Sequence, residues 1–137
     1  MCIRDRHGGY ATIPEVIKEV KAAALILTSY SVPVDLNVNN AFTAESMFEH
    51  AVGVQILHLA CHGQQLHNPL ESRFALKPPL TISDLMKLDL KNAMLAYLSA
   101  CDTAKGDSKQ LDQAVHLAAS MLFCGFRSVI ALSLIHI

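Results

Sequence analysis

The chain has no tryptophan, and aromatic residues fill only 6% of its 137 positions. Disulfide architecture is also missing. With Cys2 set aside for the reason given below, the thiols are Cys61, Cys101 and Cys124. An odd number without regular spacing argues against a disulfide framework and for a reducing, cytoplasmic setting. Charge is scarce: 17% of residues are charged and the net charge is −1. With no basic face, neither nucleic acid nor an anionic membrane is an expected partner. No apolar run reaches the roughly 18 residues of a membrane span. Neither Gly-x-Gly-x-x-Gly nor a P-loop occurs, which leaves no nucleotide site to expect. Ser99 lacks the Gly-x-Ser-x-Gly context of a serine nucleophile. His58 and His62 stand four apart without the glutamate of the helical zinc motif, and their run reads as strand. No metal and no organic cofactor is expected.

What is present is core. Apolar residues make up 52% of the chain, enough to exclude disorder and to build one domain or part of one. The two termini stand apart from that core. Met1 to Arg6 can be encoded by ATG TGT ATA AGA GAC AGR. The reverse complement, read in a shifted frame, gives Leu-Ser-Leu-Ile-His-Ile, which is residues 132–137. One inverted sequence at both ends looks like a library adapter read through an insert. Residues 1–6 and 132–137 are therefore expected to be scars, and residues 7–131 an internal fragment that carries the fold.

Thr12, Pro14 and Glu15 form a helix start, and Ile13, Val16, Ile17, Val20, Ala24 and Leu27 keep helical spacing after it. The stretch 22–27 could equally be strand. Residues 32–36 read as an outer strand, and Thr43 as the cap of a short helix through His50. Residues 53–60 are a largely apolar run bounded by glycines, as in a parallel strand covered on both faces. Residues 64–79 carry Pro69, Pro78 and Pro79 and read as a loop, with a short strand at 74–76. Thr81-Ile82-Ser83-Asp84 is a capping box opening a helix through about Leu88. Residues 93–100 form the second buried strand and 102–110 a polar loop. Leu111, Ala114, Val115, Ala118, Ala119 and Leu122 then make a helix that Gly125 stops, and 126–131 begin a third strand. Strands alternating with helices imply a parallel sheet in an α/β three-layer sandwich.

Two apolar blocks end in residues capable of covalent chemistry. Gln55 to Ala60 leads into Cys61-His62-Gly63, and Ala93 to Ala100 leads into Cys101. As neighbouring parallel strands they would set His62 and Cys101 together at their carboxyl ends, where open α/β sheets hold ligands. An imidazole beside a thiol activates it as a nucleophile. Gly63 removes a side chain next to that site, and its amide could join that of Cys101 in holding an oxyanion. The same residues also read as a core thiol and a loop histidine, since cysteine is often buried. Cys61, on the opposite face of its strand, reads as core, as does Cys124, and His116 as a surface histidine.

The blocks 57–63, 68–72, 80–85 and 98–104, in this order and spacing, resemble the CHAT domain, a caspase-like family grouped with caspases, metacaspases and separases. The resemblance runs from about Ile13 to Ala131. It implies a caspase-hemoglobinase fold, incomplete here at the carboxyl end, and cysteine endopeptidase chemistry on a protein or peptide substrate. It further implies that His62 and Cys101 match the catalytic dyad, that Gly63 sits beside the oxyanion, and that the parent protein often carries TPR-type repeats or signalling modules. Asp102 stands where the family more often has glutamate, and Lys77-Pro78-Pro79 replaces a glycine-containing turn. The aromatic-bearing segment that follows the last strand in the family has no counterpart here. Alternatives are a catalytically silent interaction module on the same fold, or an inactive fragment.

Overall fold

Along one apolar run, Leu57, Leu59 and Cys61 are buried in one core cluster while the intervening Ala60 is buried in another. Period-two alternation with both sets buried is the mark of a strand covered on both faces. The computed structural model describes residues 2–4, 14–38, 43–64, 66–88, 90, 92–99 and 118–132. Its elements in chain order are β1 (Cys2–Arg4), α1 (Pro14–Ser29), β2 (Asn37–Val38), α2 (Ala44–Ala51) and β3 (Ile56–Cys61). There follow β4 (Gly63–Gln64), a 3-10 turn (Pro69–Glu71), β5 (Arg73–Phe74), β6 (Leu80–Thr81), α3 (Ile82–Leu85), β7 (Leu95–Leu98) and β8 (Ser128–Ala131).

The main sheet runs β2-β1-β3-β7-β8 with every neighbouring pair parallel. Packing on α1 occupies one face: Val16 and Val20 join Ala60. Met47 and Ala51 of α2, Ile82 and Leu85 of α3, and Met121 join Leu57, Leu59, Ala96 and Leu98 on the other. Elements on both faces of a parallel sheet give the layered arrangement of an α/β sandwich. Among the described residues no helix is long and apolar enough to cross a membrane.

Residues 1–6 were set outside the expected fold, yet Cys2–Arg4 fills the slot between β2 and β3. Backbone pairing needs only N–H and C=O groups, so any extended trio can complete such a ladder.

Helix α1 continues through 22–27, where a strand was the alternative. It ends in a Schellman turn: Ser31 N–H donates to Thr28 O at 2.9 Å and Val32 N–H to Leu27 O at 3.0 Å. Ser31 sits at φ 59°, the left-handed position such a turn requires. That turn displaces the outer strand from 32–36 to 37–38. The Val32 N–H is committed to the helix end and Pro33 has none to give.

Thr43 caps α2 by accepting from Ser46 N–H at 3.1 Å. At α3 the capping box is complete. Thr81 Oγ1 accepts from Asp84 N–H at 3.1 Å and donates to Asp84 Oδ2 at 2.6 Å. The helix stops at Leu85 rather than near Leu88. Lys87 Nζ reaches Asp84 Oδ1 at 2.7 Å, and the hydrogen bonds from Lys87 and Thr81 hold the Asp84 carboxyl below the usual carboxylate range. A depressed carboxyl contributes stability above its unfolded pKa and loses it as pH falls through the folded value. Asp84→Ala is therefore expected to cost about 0.3–1 kcal/mol at neutral pH, the range for an acid in a helix's first turn. In thermal melts the gap from wild type should close as pH drops below about 4. A gap that persists in acid would assign the loss to packing instead.

The expected loop 64–79 is mostly structured. Strands β4, β5 and β6 form a three-stranded antiparallel sheet. Phe74, Leu76 and Leu80 in and beside it are fully buried in the larger core. Of the helix expected over 111–122, residues 118–122 are helical and the rest lie outside the described residues. Its stop is where the sequence put it, for Gly125 takes φ 107°, a conformation L side chains resist. β8 then pairs with β7.

Candidate functional site

The carboxyl end of β3 is where the chain changes sheets. Cys61 ends the parallel strand and Gly63 begins the antiparallel one, leaving His62 as the hinge between them. His62 is buried, 7% exposed, and its carbonyl accepts from Ala75 N–H at 2.8 Å. That bond runs just outside the small ladder, whose paired residues begin at Gly63 and Phe74. Ladder bonds alternate, so the Gly63 and Phe74 pair must be of the kind that exchanges none. The Gly63 N–H is consequently directed away from β5 and is not consumed by that strand.

β7 lies beside β3 in a constant register: Ile56 faces Leu95, Leu57 faces Ala96, His58 faces Tyr97 and Leu59 faces Leu98. The Ser99 N–H donates to Leu59 O at 2.9 Å, one rung further on. Cys101, expected as the partner of His62, lies outside the described residues, as do Asp102 and His116. The other two thiols expected as core are buried at Cys61 and Cys124. Burial pushes the Cys124 thiol up to about 11, so almost none of it is thiolate at neutral pH.

On the α1 side of the sheet lies a polar cluster that spacing did not reveal. Glu19 of α1 accepts a hydrogen bond from Ser99 Oγ at 2.7 Å. The same Oε1 sits 3.2 Å from His58 Nε2, close enough for charge attraction but off the hydrogen-bonding line. The His58 ring meets Tyr97 edge-on, with centroids 4.6 Å apart. Burial lowers the His58 imidazole below the usual histidine range, against the opposing pull of the Glu19 carboxylate. His58 and Ser99 are 4% and 2% exposed. Polar groups that deep require partners, which is the signal in the sequence that could have pointed to a carboxylate on α1.

A cavity of about 540 Å³ opens at the other end of β3, among Val32, Pro33, Met47, Ala51, Ile56 and Leu57. An exposed His50–Asp35 pair, 3.3 Å apart, stands at its rim. It lies at the amino end of the strand, whereas open α/β sheets bind ligands at the carboxyl ends. Among the described residues no three His, Cys, Asp or Glu side chains converge as a metal would need.

Residues 4–134 match the family model described as the CHAT domain. No curated protein sequence matches the chain.

Proposed function

The chain belongs to the CHAT domain family, a caspase-like domain related to cysteine peptidases, and from that premise we propose that it is a cysteine endopeptidase domain with His62 and Cys101 as its catalytic pair. One observation carries the proposal: the constant offset of β3 against β7. All four described pairs differ by 39 positions, from Ile56 and Leu95 to Leu59 and Leu98. The Ser99 to Leu59 bond keeps that ladder going. Carried along both strands, the same offset would bring position 62 opposite position 101. A parallel sheet covered on both faces also suits the caspase-hemoglobinase fold that the family implies.

The chemistry follows from the groups. His62 takes the proton of the Cys101 thiol, and the thiolate attacks the carbonyl carbon of a peptide bond. The oxyanion so formed is held by the N–H groups of Gly63 and Cys101, each such donor worth about 3–4 kcal/mol of barrier. His62 returns its proton to the leaving amine as the C–N bond breaks, which leaves a thioester. Water, deprotonated by His62, hydrolyses the thioester and frees the thiol. The substrate is a protein or peptide, and a reducing, cytoplasmic compartment would keep the thiol available.

The test is covalent labelling of the full chain by a peptidyl electrophile, with the modified residue located by peptide mapping. Wild type should label at Cys101, and Cys101→Ala should reduce labelling to background while leaving the melt unchanged. Label that persists in the variant, or maps elsewhere, overturns the assignment. A folded wild type that never labels would favour a catalytically silent interaction module.

A further inference from the structure

We infer that Glu19 is a positioning residue for the His62/Cys101 pair, its carboxylate accepting from Ser99 at the end of β7 and facing His58 in the middle of β3. This rests on the dyad proposed above. Ser99 stands two positions before Cys101, and His58 four before His62. In a strand those are same-face spacings. Glu19 Oε1 takes the Ser99 hydroxyl at 2.7 Å and faces His58 Nε2 at 3.2 Å. The contact therefore lies just past the end of β7 and beside the middle of β3.

Two features make the carboxylate a fixed point. Val16 and Val20, three residues before it and one after, are 4% and 0% exposed and pack on Ala60, so this turn of α1 is seated on β3 itself. The ring of Tyr97, edge-on to His58, closes the cluster from the β7 side. The carboxylate gives the buried Ser99 and His58 a polar neighbour, although its own side chain is 37% exposed. Its placement gives it a second role, because an error near 1 Å at a reacting pair can cost about 100-fold in rate.

In the full chain, Glu19→Ala should lower the maximal rate of electrophile labelling at Cys101 by up to about 100-fold, with little change in the half-saturating concentration. Glu19→Gln, which retains an oxygen to accept from Ser99, should restore most of that rate. Combined with His62→Ala, Glu19→Ala should add no further loss, since a positioning group has nothing left to position. Amide exchange at Ser99 should quicken in Glu19→Ala while that of Leu95, at the far end of β7, stays as in wild type. Equal losses in the Ala and Gln variants, additivity with His62→Ala, or exchange that rises uniformly along β7 would each make the role merely structural and overturn the inference. Labelling that survives Cys101→Ala overturns the dyad and this inference together. Loss in Cys101→Ala beside a Glu19→Ala variant that labels like wild type overturns this inference alone.

Discussion

His62→Ala is expected to slow labelling of Cys101 by a peptidyl electrophile by about 10²–10⁴-fold, the usual contribution of a positioned general base. A free thiol with a pKa near 8.5 is a few per cent thiolate at neutral pH, and the imidazole supplies the missing ionisation. The main-chain bond from Ala75 N–H to the His62 carbonyl survives the substitution, so the register of the small sheet should be kept. Melting temperature and labelling rate should thus separate. The rate measured at high pH, where the thiol ionises unaided, should recover toward wild type. A His62→Ala chain that labels as fast as wild type at neutral pH would remove His62 from the chemistry. A chain that loses rate and melt together would make it a packing residue.

Much of this scaffold was legible in the sequence because its strands are long or continuous enough to leave a pattern. Leu57 to Cys61, interrupted only by His58, and Leu95 to Leu98 are apolar runs, and Thr43, Thr81 and Gly125 mark element ends by chemistry that is local to a few residues. The small sheet was hidden for the opposite reason. β4, β5 and β6 are two residues each, too short for a period of two to show, and the prolines around them read as loop. The Glu19–Ser99 contact spans 80 positions, and a polar contact between distant residues has no period at all. His58 was weighed as a zinc ligand and Ser99 as a nucleophile, when each was a buried polar group in search of a partner. The covalent site was legible as far as two strand ends and the residues after them, His62, Gly63 and Cys101. The alternation at Gly63 and Phe74 adds what no sequence pattern shows, an amide that the neighbouring strand does not use.

Phe74→Ala is expected to cost about 3–5 kcal/mol, the range for truncating a buried phenylalanine. Phe74 is fully buried, and its neighbours in the core include Leu76, Leu80, Ile82 and Leu98. It is also the residue opposite Gly63. Short ladders of two residues supply few hydrogen bonds, so side-chain packing must hold β4 and β5 against the main sheet. Removing the ring leaves a cavity that this short segment can close only by giving up its register. The melting temperature should therefore fall by on the order of 10 °C, and Phe74→Leu, which keeps most of the volume, should lose less than about 1.5 kcal/mol. The loss should also reach the site. With β5 loosened, the Ala75 to His62 bond weakens, and labelling of Cys101 should slow even at temperatures where the main sheet is intact. A melt that moves by only a degree or two would mean that residues 64–79 behave as the loop their prolines suggest, with β4 contributing nothing to holding His62 and Gly63 in place.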